Sequence, residues 1–544
     1  MNGYRMFLRR LTDKTFSLLA VFSVVLLVAV LVVVLGPMLL RGVSAVVFRG
    51  TVEFRRMQYA VNNHGDAEKI RAETAEVEKS RQSIYEMIDR FKRGIDTKDL
   101  IDKARGNYRE YKKQLRYKKT APEEYLELTE KVRQFRDSLC GAYVEVNKSV
   151  ITKTLDKIIS QRKDERFNNS AAAKFFVMAS EYKEMIGSID LSRRKRYSAS
   201  LAEIRELLRK MLGPGPGEPT PALIMERYGA TRWDMAQKCL HKLLWDEQWV
   251  RTEPGKPLEK KLLPRSQQFA GTELEQLFPL IQKDLPRLLK PRWTFYWRYF
   301  IDDSTEGHYF GGVGPEILGT LMFTLLALVF AVPFGVISAS YLVECSGDNV
   351  TVRIIRTCVN TLAGVPSIVF GLFGLIFFVL YLMPALGQQP KPCILTASMT
   401  LAVLILPVII RASEEAIRSV PQTYKEASLA LGAGRFRTFV TVTLPVALPG
   451  ILTGIILSLS RAAGETAPIL FAGAVAGGPI AESLFEPSRT LSYGSYDIAV
   501  GDRYAMMVPH KQFGMIMTLI LLVLCMNIVA IVIRSRTARK LRGY

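Results

Sequence analysis

The sequence is poor in the residues and patterns that build catalytic centres. It has four histidines in 544 residues, His64, His241, His308 and His510, and six scattered cysteines, Cys140, Cys239, Cys345, Cys358, Cys393 and Cys525. None of the cysteines forms a CxxC pair or a Cys/His ligand spacing, which argues against a metal centre. Neither H-E-x-x-H nor G-x-S-x-G occurs, so no hydrolytic constellation is visible. A G-x4-G-K-[ST] phosphate loop is also missing, and with it the usual means of holding a nucleotide.

What the chain does have is long apolar runs. Hydrophobic residues make up 49% of it beside 23% charged residues, which implies a mixture of membrane and soluble segments. Runs of the roughly 20 residues needed to cross a bilayer concentrate in 16–40 and 316–533, while 41–310 is highly charged. Arg5, Arg9, Arg10 and Lys14 precede the run Phe16–Leu35, which is too long for the apolar core of a cleaved leader, roughly 7–15 residues. The expectation is an uncleaved signal anchor over 16–40, with residues 1–15 in the cytoplasm. Five further spans are expected near 316–343, 358–383, 394–411, 446–475 and 514–533, so both chain ends fall on one side. Arg534, Arg536, Arg539, Lys540 and Arg542 in the tail 534–544, with Arg353 and Arg356 between the second and third spans, make that side cytoplasmic by the positive-inside bias. Residues 412–445 then face the cytoplasm and 41–310 the periplasm. The fold class expected is mainly α: a polytopic protein of the inner membrane with about six transmembrane helices and a mostly helical soluble insertion between the first two.

The net charge of +22 suggests nucleic acid at first sight, yet most of the excess lies in 41–310, out of reach of genomic DNA. Long loops cross membranes largely regardless of charge. Contact with anionic lipid headgroups, or plain solubility, accounts for the basic surface; drawing in anions is a second use it could serve. Helix formers with Glu, Lys and Arg at i, i+4 dominate Asp66–Lys119 and Glu123–Lys210, and Ile84, Ile88 and Phe91 recur at helical intervals. Gly213–Pro221 reads as a linker or hinge. Beyond it, Ala222–Tyr228, Gly229 and Arg232–Leu244 follow a helix-turn-helix pattern, to which a packing role is assigned. Lys290–Arg298 mixes Trp293 and Trp297 with basic residues, as an interfacial belt does. Cys140 and Cys239 could pair in a periplasmic domain, although their separation in sequence leaves the distance open.

Inside the fifth span, Arg461 and Glu465 stand four residues apart, on one face of a continuous helix and roughly 24 Å beyond Pro445. Ionisable side chains at such a depth are costly and face a cavity or a partner. The alternative is an internal ion pair that locks the span to its neighbours. A guanidinium fork suits a tetrahedral oxyanion, and a carboxylate accepts a hydrogen bond only from an oxyanion that keeps a proton. Phosphate keeps one at neutral pH and sulfate does not. Arg411, ending the fourth span, is either an exit contact or an interfacial anchor. Pro366 in the third span either frees backbone groups toward a pathway or kinks the helix for packing.

Between the fourth and fifth spans, Glu426-Ala-Ser-Leu-Ala-Leu-Gly432 is followed nine residues later by Val442-Thr443-Leu444-Pro445. This resembles the E-A-A-x3-G-x9-I-x-L-P coupling loop of ABC permeases, with Glu426, Ala427, Gly432, Leu444 and Pro445 intact and Ser428 and Val442 as mild substitutions. Arg461-Ala-Ala-Gly-Glu-Thr-Ala-Pro468, the glycine-rich run Gly364–Gly374, and Gly311–Pro315 through Gly319-Thr320 are similar to the A-type permeases of the phosphate-specific transport system, over about 310–535. The resemblance implies a type I ABC importer permease fold over 311–533 and a transport subunit for inorganic phosphate that is not itself an enzyme. It further implies a second related permease, two ATPase subunits that use the ATP, and an extracytoplasmic phosphate-binding protein, with membrane lipid around the spans. A short helix ended by Gly432 would sit in a groove of an ATPase subunit. Family members have only a short segment where this chain has 41–310, and their motifs do not explain the difference. A permease for another oxyanion, or a membrane-anchored sensor whose 41–310 domain binds a ligand, are the alternatives.

Overall fold

The computed structural model describes residues 2–541 apart from 169, 188, 216–223, 251–258, 347–348 and 501–507. The chain divides into two units: Met1–Phe48 together with Thr294–Tyr544, and Arg49–Trp293. The insertion is thus narrower at both ends than the 41–310 expected. Residues 294–313 belong with the membrane helices because they are tied there: Gly314 N–H at the start of the second span donates to Asp302 O at 3.1 Å, and Lys511 Nζ in the sixth donates to Gly311 O at 2.8 Å.

Among the described residues, six helices are long and apolar enough to cross a membrane: Lys14–Val43, Gly314–Cys345, Ser367–Ala385, Ile394–Arg418, Arg435–Gly464 and Pro509–Lys540. Glycines set how closely they pack. A Cβ on Gly335 in the second span would lie 2.6 Å from Ile409 Cγ2 in the fourth, and one on Gly454 in the fifth 2.3 Å from Ala412 Cβ. A Cβ on Gly42 in the first span would lie 2.7 Å from Phe513 O in the sixth. Apolar helices in lipid gain little from burying more apolar surface, so close backbone approach through small residues is what holds them together.

Three span boundaries differ from the expected ones, each for a physical reason. The third span begins at Ser367, not 358, because Gly364-Val365-Pro366 ends the preceding helix Val350–Ala363. Proline has no N–H for the helical ladder and disfavours helical backbone in the residue before it. The fourth span runs on to Arg418, so Arg411 lies within the helix and not at its end. The fifth stops at Gly464 instead of 475, with Glu465 in extended backbone and a separate short helix at Ala467–Ala472. In a continuous helix the ring of Pro468 would strike the carbonyl of Gly464.

The insertion is helical, as its i, i+4 patterning requires. Asp66 caps the helix Ala67–Ile95 by accepting from the N–H groups of Glu68 and Lys69, and Asn147 caps Lys148–Ser160 through Ser149 N–H. Ile84, Ile88 and Phe91 line one buried face, with Phe91 edge-on to both Tyr197 and Phe269 at 5.7 Å. The helix-turn-helix pair comprises Ile224–Thr231 and Trp233–Leu244, and the turn falls at Arg232. Gly229 lies inside the first helix, where a Cβ would come within 2.6 Å of Lys210 O, so its smallness serves packing. An antiparallel hairpin, Trp245–Val250 with Glu259–Pro264, follows directly. Most of the expected linker, from Pro216 to Pro221, lies outside the described residues, as do Ala222, Leu223 and Arg542. All six cysteines are free, Cys140 and Cys239 among them.

Candidate functional site

Arg461 occupies the last turn of the fifth span, and Glu465 is the first residue past its end. The two still meet, with Arg461 Nε 3.5 Å from Glu465 Oε1, although they do not share one helical face as expected. Their side chains are 35% and 20% exposed, so both are partly buried in this chain and partly open at its surface. Among the described residues, this long contact is the one hydrogen bond of the Arg461 guanidinium, and its two terminal nitrogens find no acceptor. The backbone opened by the break is supported: Ser492 Oγ donates to Glu465 O at 3.2 Å.

Arg411 is exposed and, among the described residues, makes no hydrogen bond or ion pair. Its neighbour Ala412 packs on Gly454. Arg461 is seven residues farther along the fifth span, about 10 Å at the helical rise. The two arginines therefore stand at different depths. Pro366 caps the helix Ser367–Phe373 and is exposed.

The stretch resembling a coupling loop forms a short helix, Gln422–Ala430, then a turn at Gly432 and a second short helix, Arg435–Thr438. Gly432 has φ +85, a left-handed conformation that glycine adopts without strain, and its N–H donates to Leu429 O at 2.9 Å. Glu426 and Ala427 are exposed, and Leu444 and Pro445 lie within the fifth span, where a π-helical stretch over Phe439–Thr443 passes into the α-helix Leu444–Gly464. Around them stands apolar surface with nothing to cover it in this chain: Leu431 is 90% exposed, Phe436 81% and Tyr424 53%. A loop of this size holding so much apolar area in water would be unfavourable, and burial against a partner would relieve it.

Ionic contacts that sequence reasoning missed fix this region to the bundle. Lys425, the single buried residue of the helix Gln422–Ala430, meets Glu344 at the end of the second span, Nζ to Oε1 2.5 Å. Glu414 near the end of the fourth span takes Arg418 at 2.7 Å and Arg356 at 2.9 Å. Lys425–Glu344 and Arg356–Glu414 join residues on different helices that local spacing does not announce, whereas Glu414–Arg418 is an i, i+4 pair on one helix.

A third cluster, also unforeseen, lies around the start of the second span. Glu316 is fully buried; Ser304 Oγ donates to it at 2.6 Å, and Arg489 Nη1 stands 3.8 Å away. Arg489 also donates to Ser304 Oγ at 3.0 Å and Asp303 Oδ1 at 2.7 Å, while Lys511 Nζ donates to Gly311 O at 2.8 Å. His308 sits among them, and burial together with the Lys511 and Arg489 charges pushes its imidazole down to about 3. The glycines of the Gly311–Gly319 motif serve this knot. A Cβ on Gly314 would lie 2.1 Å from Ile301 O, and one on Gly319 1.9 Å from Arg489 O.

Residues 331–543 match the family of binding-protein-dependent transport system inner membrane components. The phosphate transport system permease protein PstA 1 of Mycobacterium tuberculosis (strain ATCC 25618 / H37Rv) is 34% identical over 247 residues, 45% of this chain and 77% of its own length. The phosphate transport system permease protein PstA of Mycobacterium leprae (strain TN) is 39% identical over 175 residues, 32% of this chain and 55% of its own. Among solved structures, the MetNI methionine ABC transporter in inward-facing conformations is 21% identical and overlaps 42% of this chain and 94% of its own, with a TM-score of 0.31. The family match covers the coupling stretch and the Arg461–Glu465 break, and the longest of these alignments spans most of a relative at 34% identity, so the chain belongs to the binding-protein-dependent transport system inner membrane components as a PstA-type permease.

Proposed function

We propose that this permease carries inorganic phosphate into the cell along a path that includes Arg461, Glu465 and Arg411. The observation that carries the proposal is the free fork of Arg461, held at a helix break in a membrane span with a carboxylate beside it. Charged groups inside a membrane face a partner or a watery cavity, not lipid. Arg461 is partly exposed and Arg411 exposed in this chain, and a second, related permease covers that surface in the assembly. An oxyanion would meet Arg461 first and Arg411 about 10 Å farther on. The named relatives support phosphate as the cargo.

Work comes from two ATPase subunits that dock on the exposed apolar and polar surface around Glu426, Ala427 and Gly432, and the movement passes into the fifth span through Leu444 and Pro445. This chain itself holds no ATP. An extracytoplasmic phosphate-binding protein delivers the anion. The chain ends lie in the cytoplasm and the insertion in the periplasm, an arrangement favoured by Arg534, Arg536, Arg539 and Lys540 at the end of the sixth span.

Uptake of radiolabelled phosphate by Glu465→Gln, with sulfate as competitor, tests the selectivity this site would provide. Loss of one charged hydrogen bond should slow phosphate uptake about tenfold or more, and the amide, which can donate, should let sulfate compete. Unchanged uptake with sulfate still excluded would remove Glu465 from the path.

A further inference from the structure

Of the nine residues in the helix Gln422–Ala430, Lys425 alone is buried, and its partner is neither of the spans that the coupling stretch connects. It reaches Glu344, at the end of the second span and 81 residues earlier in the chain. The side chains are 11% and 26% exposed, so water screens this pair less than an open surface bridge. Glu426, which follows in sequence, is exposed. Part of a two-turn helix is thus offered outward while Lys425 grips a span.

We propose that Lys425 and Glu344 are positioning residues for energy coupling, a strut that carries the displacement of the coupling helix into the second span. The covalent chain already carries it into the fourth and fifth. Without the strut, the second span would be driven through its packing on the fourth and fifth, where Gly335 meets Ile409 and Ala339 shares a buried cluster with Ala416 and Ile451, and through the Arg356 bond to Leu342 O. Glu414, Arg356 and Arg418 tie the helix Val350–Ala363 to the fourth span, and Arg356 also donates to Leu342 O near the end of the second span at 2.9 Å, so the strut is a further polar link to that span, and the one that comes from the coupling helix. Packed elements move as rigid bodies between discrete arrangements, and an ionic contact at their junction can set whether they move together.

The inference rests on the transport reading above. Its test uses the complete complex in proteoliposomes, with phosphate imported per ATP hydrolysed as the readout. Glu344→Gln and Lys425→Met should each lower that ratio about fivefold or more, the lower end of typical coupling between sites. The charge-swapped chain, Glu344→Lys with Lys425→Glu, should recover most of it. Recovery of the partner subunits with each variant reports assembly. Should a single variant fail to assemble, the swap decides: a restored ratio supports the strut, and an assembled swap with a low ratio overturns it. Single variants that assemble and keep the wild-type ratio overturn it as well. A wild-type complex that imports no phosphate would instead bring down the transport reading, and the strut with it.

Discussion

Arg461 is the residue on which the proposed chemistry turns, and it stands out in the sequence because an arginine inside a run of apolar residues has few uses. Its pairing with Glu465 is legible there too. The helix end between them is not, because Gly464 and Pro468 are common inside membrane spans as well as at their ends. The ionic knot around Glu316 escapes sequence reading for another reason: Ser304, Glu316, Arg489 and Lys511 come together only through tertiary folding. His308 makes that knot measurable. Its imidazole titrates near 3 when folded and near 6.5 when unfolded, so between those values the unfolded chain binds the extra proton. Stability should therefore be unaffected by His308 above about pH 6.5 and fall as pH drops below it, by at most about 1.4 kcal/mol per pH unit. Thermal melting of His308→Gln between pH 7.5 and 5 checks this. The variant should lose less stability than wild type on acidification, and parallel curves would refute the assignment.

At the scale of elements, six spans can be counted from apolar runs alone, and six are found among the described residues. Their ends shift where proline and glycine act on the backbone, as at Pro366, or where a helix runs past its apolar stretch, as at Arg418. Register between helices is beyond sequence reading, since it depends on which small residues face each other. Gly454 and Ala412 form such a contact. Gly454→Ala should force the fourth and fifth spans apart and lower stability by about 1–3 kcal/mol, seen as a lower melting temperature in detergent. Adding Ala412→Gly should return part of that loss. A Gly454→Ala protein that melts with wild type would show that the two helices are not held at this point.

At the scale of the whole molecule, the chain is a permease unit interrupted by a helical unit, Arg49–Trp293. The change in charge and hydropathy along the chain marks this division, and helical periodicity gives the class of the insertion. The hairpin after Leu244 was not foreseen, because Trp245–Val250 carries acidic and aromatic residues without a clear alternation. The permease unit presents exposed apolar side chains on its coupling stretch and, among the described residues, arginines on its spans with nitrogens that find no acceptor, so the proposed chemistry calls for an assembly. The most direct measurement is ATP-driven phosphate import by the reconstituted complex carrying wild-type chain or Arg461→Gln, with recovery of the partner subunits as the control for assembly. Loss of two charged hydrogen bonds to the anion should reduce import about 100-fold. Import by an assembled Arg461→Gln complex at the wild-type rate would contradict the account.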